Sequence, residues 1–88
     1  MLDKDWSVRA EENEHGTCVH VIINEDVNID NVMFYMKDDE RRIIANMKVT
    51  CREIYMCSSM AKPVFVELGN CVKYVNGSGV ETYKNVTK

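Results

Sequence analysis

The N-terminal residues alternate apolar and polar side chains, as half-buried β-strands do. Three apolar positions in this alternation share one face of a strand: Trp6, Val8 and Ala10. A polar run over residues 11–16 follows, and residues 17–24 are then rich in β-branched side chains. The pattern predicts an N-terminal β-hairpin.

The middle of the chain carries apolar residues at spacings of three, four and seven, which helical geometry gathers onto one face. They are Ile29, Val32, Met33, Met36, Ile43, Ile44, Met47, Cys51, Ile54 and Tyr55. Asp30 can cap a first helix, and Asp38 or Asp39 can begin a second. This spacing predicts one long helix or two consecutive helices.

The same region also supports a strand over residues 43–52. Apolar and polar residues alternate there, with the apolar positions at Ile43, Ala45, Met47, Val49 and Cys51. The alternation ends at Arg52, whereas the helical spacing persists for about seven turns at 3.6 residues per turn. We therefore expect a helix and keep the strand as the alternative.

Three short apolar runs follow, over residues 64–68, 71–75 and 80–84. They are separated by Gly69-Asn70 and by residues 76–79, which are rich in residues that tolerate the positive φ of tight turns. The runs predict a three-stranded antiparallel meander. The whole chain, residues 1–88, then forms a single α+β domain, with helices covering one face of an antiparallel sheet. The alternative is an all-β meander or small barrel.

The formal net charge of −3 hides an asymmetry along the 88 residues. Residues 1–40 carry eleven acids and three bases, a balance of −8, whereas residues 41–88 carry eight bases and three acids, a balance of +5. A fold that interleaves the halves neutralises these charges. A fold that segregates them creates an acidic pole that could imitate the phosphates of DNA and act as a DNA-mimic inhibitor.

The chain has no apolar run long enough to span a membrane and no apolar N-terminal segment of the signal-peptide type. We therefore expect a cytoplasmic protein, in the host cytoplasm if it is viral. In that compartment the four cysteines are expected to be reduced and mostly buried: Cys18, Cys51, Cys57 and Cys71.

Cys18 and His20 lie on the same side of a predicted strand and could begin a zinc site. Structural zinc sites usually contain paired Cys-x₂-Cys knuckles, and the cysteines here have no such spacing. Cysteine and histidine could also form a nucleophilic pair, but no local signature accompanies them, and a chain of this size has little room for a substrate pocket. We expect no metal, no other cofactor, no catalytic residue and no enzymatic activity.

Three basic residues, Arg41, Lys48 and Arg52, align on the helix face opposite the apolar stripe. Such a basic face could contact phosphates, although a pI near 5.3 opposes the approach of nucleic acid. A nucleic-acid-contacting regulator is therefore an alternative function.

Four large apolar residues fall off the helical stripe and would be exposed on a helix: Phe34, Tyr35, Val49 and Met56. Exposed aromatic and apolar side chains flanked by charge are typical of a protein interface. We predict a small non-enzymatic protein-binding module, an inhibitor or adaptor that covers a partner's surface or forms a homodimer through these residues. The short chain without a catalytic signature favours a viral or phage accessory protein.

Overall fold

The computed structural model describes residues 1–75, whose regular secondary structure is almost entirely β-strand. A single turn of 3₁₀-helix, Asp3–Asp5, precedes the first strand. The strands are β1 (Trp6–Asn13), β2 (Gly16–Ile23), β3 (Met33–Lys37), β4 (Ile43–Lys48), β5 (Glu53–Ser58), β6 (Phe65–Leu68) and β7 (Cys71–Tyr74).

The strands form two antiparallel sheets, one with the order β1-β2-β5 and one with the order β4-β3-β6-β7. Alternate residues of both sheets contribute to one hydrophobic core, as expected where two amphipathic sheets pack face to face. From the three-stranded sheet these are Trp6, Val8, Ala10, Val19, Val21, Ile23 and Ile54, and from the four-stranded sheet Phe34, Met36, Val66, Leu68 and Cys71.

The predicted α+β fold with central helices is wrong, because residues 1–75 contain no α-helix. The region expected to be helical forms β3, β4 and β5, so the strand kept as the alternative is correct over β4. Its alternation holds from Ala45 to Lys48. Ile43, by contrast, is exposed because the register with β3 shifts between Met36 and Lys37.

Asp38 does not begin a helix. Its backbone N–H donates to the carbonyl of Arg42 at 3.0 Å, and Arg41 has a φ of 65°, so residues 38–42 turn the chain back into an antiparallel partner strand.

The predicted N-terminal hairpin is present. β1 and β2 pair in register from Trp6 opposite Ile23 to Asn13 opposite Gly16. The first two runs of the predicted meander form the hairpin of β6 and β7, which turns at Gly69 with a φ of 59°. The third run, residues 80–84, lies outside the described residues.

Each sheet combines strands from the acidic and the basic half of the sequence. β2 from the acidic half lies between β1 and β5, of which β5 belongs to the basic half, and β3 from the acidic half lies between β4 and β6. Ion pairs join the halves, such as Lys62 with Glu12 at 3.3 Å and Lys73 with Asp3 at 3.5 Å. The strands of the two halves are therefore interleaved over the described residues, whereas the DNA-mimic inhibitor stays a prediction.

The expectation of four reduced cysteines is also wrong. Cys18 and Cys57 lie directly opposite each other on β2 and β5, and a disulfide joins them. Cys51 is exposed and donates to the carbonyl of Glu53 at 3.2 Å, whereas Cys71 is buried in the core. Within residues 1–75, no helix has the length and apolar character needed to cross a bilayer.

Candidate binding face

The outer face of the four-stranded sheet gathers aromatic side chains from three strands. Phe34 and Met36 point into the core. Tyr35 and Lys37, which alternate with them along β3, therefore point outward. Phe65 on β6 lies opposite Lys37 on one side and opposite Tyr74 of β7 on the other. We name this surface the aromatic face and define it as Tyr35, Lys37, Arg41, Ile43, Phe65 and Tyr74.

The rings of the aromatic face contact each other and two cations. Phe65 and Tyr74 pack edge to face, with ring centroids 5.8 Å apart and an interplanar angle of 67°. The guanidinium carbon of Arg41 lies 4.5 Å from the centroid of Phe65, and Lys37 Nζ lies 5.4 Å from that of Tyr35. These cation–π contacts hold both bases against the sheet.

A largely buried ion pair lies among these side chains. Lys37 Nζ is 2.6 Å from Glu67 Oε2, and the two side chains are only 14% and 6% exposed. Because the opposite charges are this close, they neutralise each other within the face. Removing one partner of such a pair would leave an uncompensated buried charge, so the pair requires both side chains to remain in place.

The turn between β3 and β4 holds Arg41 over Phe65. Asp38 accepts hydrogen bonds from the backbone N–H groups of Arg42 at 2.8 Å and Glu40 at 2.9 Å, and from Arg42 Nε at 2.9 Å. The Arg42 backbone N–H, followed by its guanidinium and the Glu40 N–H, lowers the pKa of Asp38, although burial opposes this shift. The ionised carboxylate therefore stabilises the turn that aims Arg41 across the sheet.

The four apolar residues predicted to bind a partner do not share a surface. Phe34 and Val49 are buried in the core, and Met56 is half-buried against it. Tyr35 alone among them lies on the aromatic face. The physical reason is the strand period, because neighbouring residues of an extended segment point to opposite sides, which separates Phe34 in the core from Tyr35 on the outer face.

The three predicted basic residues also occupy separate places. Arg41 lies over the aromatic face, while Lys48 is exposed at the other end of β4. Arg52 donates to the carbonyls of Asn24 at 2.7 Å and Val27 at 2.6 Å, so it fastens the segment between β2 and β3. Without a helix the three side chains form no common basic face.

Sequence reasoning missed four members of the aromatic face: Lys37, Ile43, Phe65 and Tyr74. A signal was available in residues 64–68, where Val64, Val66 and Leu68 alternate with Phe65 and Glu67. The alternation shows that Phe65 shares a face with a charged residue. It does not show that β6 pairs with β3.

The cysteine and histidine that the sequence singled out lie together on the outer face of the other, three-stranded sheet. His20 Nε2 is 2.6 Å from Glu53 Oε2, and its ring packs edge to face on Tyr55 at 5.9 Å. Cys18 is committed to the disulfide. Over residues 1–75, no three His, Cys, Asp or Glu side chains converge in a way that could hold a metal ion.

No protein-family model, no curated protein and no solved structure matches this chain. Its function is therefore inferred from the geometry of its own residues.

Proposed function

We propose that this chain is a small non-enzymatic protein-binding module, an inhibitor or adaptor that covers a partner's surface with the aromatic face. The observation that carries the proposal is the exposure of this face. Tyr74 is 43% exposed and Ile43 is 54% exposed beside the half-buried rings of Tyr35 and Phe65. Aromatic side chains are enriched at the centres of interfaces, because they bury a large area at little cost in conformational entropy.

The charges around the aromatic face favour a partner surface of particular chemistry. Lys37 and Glu67 neutralise each other inside the face, whereas Arg41 extends its guanidinium across Phe65. The partner should therefore offer apolar side chains opposite the rings and a carboxylate opposite Arg41, since Arg pairs well with carboxylates at interfaces. Another protein or a second copy of this chain could provide such a surface.

A nucleic-acid-contacting regulator is the second candidate, because the aromatic face combines rings with basic side chains. Aromatic rings with basic side chains on one sheet face resemble the stacking platforms on which single-stranded nucleic acids bind. The net charge of −3 opposes such binding, because affinity for nucleic acid depends on neutralising phosphates. We therefore rank it below a protein partner.

Cytoplasmic localisation, in the host if the protein is viral, is part of the proposal. Cytoplasmic thiols keep most disulfides reduced, so a disulfide in that compartment is usually transient or takes part in redox chemistry. The disulfide of Cys18 and Cys57 would then be exposed to thiol exchange.

The proposal can be tested with Tyr74→Ala and Phe65→Ala, and with Tyr55→Ala as the matched control. Tyr55 is a tyrosine of similar exposure, 56%, but lies on the outer face of the other sheet. We expect quantitative affinity capture from host extract, followed by titration of the captured protein, to show about thirtyfold weaker binding for each aromatic-face variant, equivalent to about 2 kcal/mol. Tyr55→Ala should bind as the wild type does.

Two further measurements discriminate the partners. Sedimentation of the purified protein shows whether the partner is a second copy, in which case Tyr74→Ala converts a dimer to a monomer. Titration with a labelled single-stranded oligonucleotide at several salt concentrations tests the second candidate. Folded Tyr74→Ala and Phe65→Ala proteins that bind as tightly as the wild type, or an equal loss in Tyr55→Ala, would refute the aromatic face as the binding surface.

A further inference from the structure

The disulfide lies on the outer face of the three-stranded sheet, and its two cysteines differ in exposure. Cys57 belongs to β5, an edge strand, and is exposed. Cys18 belongs to the central strand β2 and is only 1% exposed. Cys57 is therefore the more accessible of the two residues to a dissolved thiolate. Because thiol–disulfide exchange depends on which sulfur the thiolate can reach, this asymmetry selects the site of attack.

The side chain of Asn13 is placed to stabilise Cys18 after such an attack. Asn13 Nδ2 lies 3.6 Å from Cys18 Sγ, within the longer hydrogen-bond range of sulfur. The orientation of this amide is set by its other end, because Asn13 Oδ1 accepts a hydrogen bond from the His15 backbone N–H at 2.8 Å. A donor to a thiolate favours its charged form, and a thiol of lower pKa is a better leaving group.

The turn between β1 and β2 keeps the two cysteines together when the bond is broken. Gly16 has a φ of 106°, and a Cβ atom built on it would lie only 2.2 Å from the carbonyl oxygen of Ser58. The turn therefore packs closely on the backbone at the end of β5, one residue past Cys57. β2 and β5 pair along residues 17–22 and 53–58, with Cys18 opposite Cys57, and this pairing would keep the Cys18 thiolate beside a modified Cys57, which makes the exchange reversible.

We propose that Cys57 is a site of reversible modification by small monothiols. The thiolate of the monothiol attacks Cys57 Sγ and forms a new S–S bond with it. The bond between Cys57 and Cys18 breaks, and its electron pair remains on Cys18 Sγ as a thiolate that accepts a hydrogen bond from Asn13 Nδ2. One disulfide is consumed and one is formed, so the step needs no other oxidant or reductant. In the reverse step, the Cys18 thiolate attacks Cys57 Sγ and expels the monothiol.

The proposal is independent of the aromatic face, which lies on the other sheet, so either can fail alone. It is tested on oxidised Cys51→Ser protein, in which the exposed thiol of Cys51 is removed. The folded protein is incubated with reduced glutathione, quenched with acid, alkylated with iodoacetamide and mapped by mass spectrometry. We expect glutathione on Cys57 and the alkyl group on Cys18. Glutathione on Cys18, or an intact disulfide with no adduct at millimolar glutathione, would overturn the proposal.

The role of Asn13 is tested by the rate of adduct formation in Asn13→Asp. The carboxylate can still accept the hydrogen bond from His15, but it offers no donor and repels the Cys18 thiolate. We expect the initial rate to fall by roughly three- to tenfold. Ser7→Asp is the matched control, since it adds the same charge to β1 at a point about 13 Å along the strand from Cys18, beyond a Debye length of about 10 Å, and should leave the rate unchanged.

Thermal unfolding of the oxidised variants shows whether the sheet is intact in each. An Asn13→Asp protein with wild-type unfolding and a wild-type exchange rate would show that Asn13 does not assist the leaving group. If Ser7→Asp slows adduct formation as much as Asn13→Asp does, the slowing comes from the added negative charge alone. That result would overturn the role of Asn13.

Discussion

Two neighbouring residues of β3 provide the sharpest test of the fold. The side chain of Phe34 is completely buried, whereas Tyr35 is half-buried on the aromatic face. Phe34→Ala removes a ring from the core, which typically lowers the free energy of unfolding by about 3–5 kcal/mol. Tyr35→Ala removes only cross-strand contacts on an outer face, which are worth about 1 kcal/mol or less. The two truncations should therefore differ by at least about 2 kcal/mol.

Urea unfolding followed by the fluorescence of Trp6 measures this difference. Trp6 is the one tryptophan of the chain and is buried in the core, so its emission reports the loss of packing. A domain of this size has a total stability of only about 4–13 kcal/mol, so Phe34→Leu is the milder variant to use if Phe34→Ala does not fold. A Tyr35→Ala protein that loses as much stability as Phe34→Ala, or more, would refute the inward orientation of Phe34 and with it the assignment of β3.

Three further predictions concern the turns and the disulfide. Asp38→Asn should lower the melting temperature at pH 7, because a carboxylate of lowered pKa stabilises the fold above its ordinary pKa of 3.8. The deficit should shrink as the pH falls below 3.8 and the carboxylate becomes protonated, so thermal unfolding at pH 7 and pH 3 checks this. Gly16→Ala should lose roughly 1–3 kcal/mol in urea unfolding, and clearly more than Gly69→Ala, whose added Cβ would meet nothing closer than 3.8 Å. Replacing Cys18 and Cys57 by Ser should cost about 4 kcal/mol on the chain-entropy estimate for residues 39 apart, and an unchanged urea midpoint would contradict that estimate.

Local patterns predicted the parts of the fold that depend on neighbours in sequence. The N-terminal hairpin follows from the alternation that begins at Trp6 and from the polar run that separates the two strands. The turn between β6 and β7 follows from Gly69, which adopts the positive φ that its position requires. In both places the two-residue period of the strands and the residues of the turn predict the same hairpin, so the sequence indicates one structure.

The centre of the chain was misinterpreted because two periods coexist there. β3 buries Phe34 and Met36, while residues such as Ile29 and Val32 pack on the core from a loop. Their spacings of three, four and seven arise from separate elements and only imitate a helical stripe. Arg41 has a positive φ, which is incompatible with a helix at that point. Because the residue is an arginine and not a glycine, the sequence gives no sign of this conformation.

The two candidate sites could not be predicted from the sequence for a different reason. Both depend on the pairing of strands that lie far apart along the chain. Tyr35 and Phe65 share a face because β3 pairs with β6, and Cys18 meets Cys57 because β2 pairs with β5. Period and composition can show which side of a strand a residue occupies. They do not show which distant strand lies beside it.

The order of the strands has a consequence for how this chain can be divided. β3 and β4 fall between β2 and β5 along the chain, yet they belong to the other sheet. A cut between β4 and β5 leaves an N-terminal fragment with two strands of each sheet and a C-terminal fragment with the remaining strands of both. Neither fragment contains a complete sheet, so the apolar face of each partial sheet is incompletely covered. Isolated two-stranded ribbons are marginally stable in water. We therefore expect the two sheets to unfold as one cooperative unit, and the separated fragments to gain structure when they associate with each other.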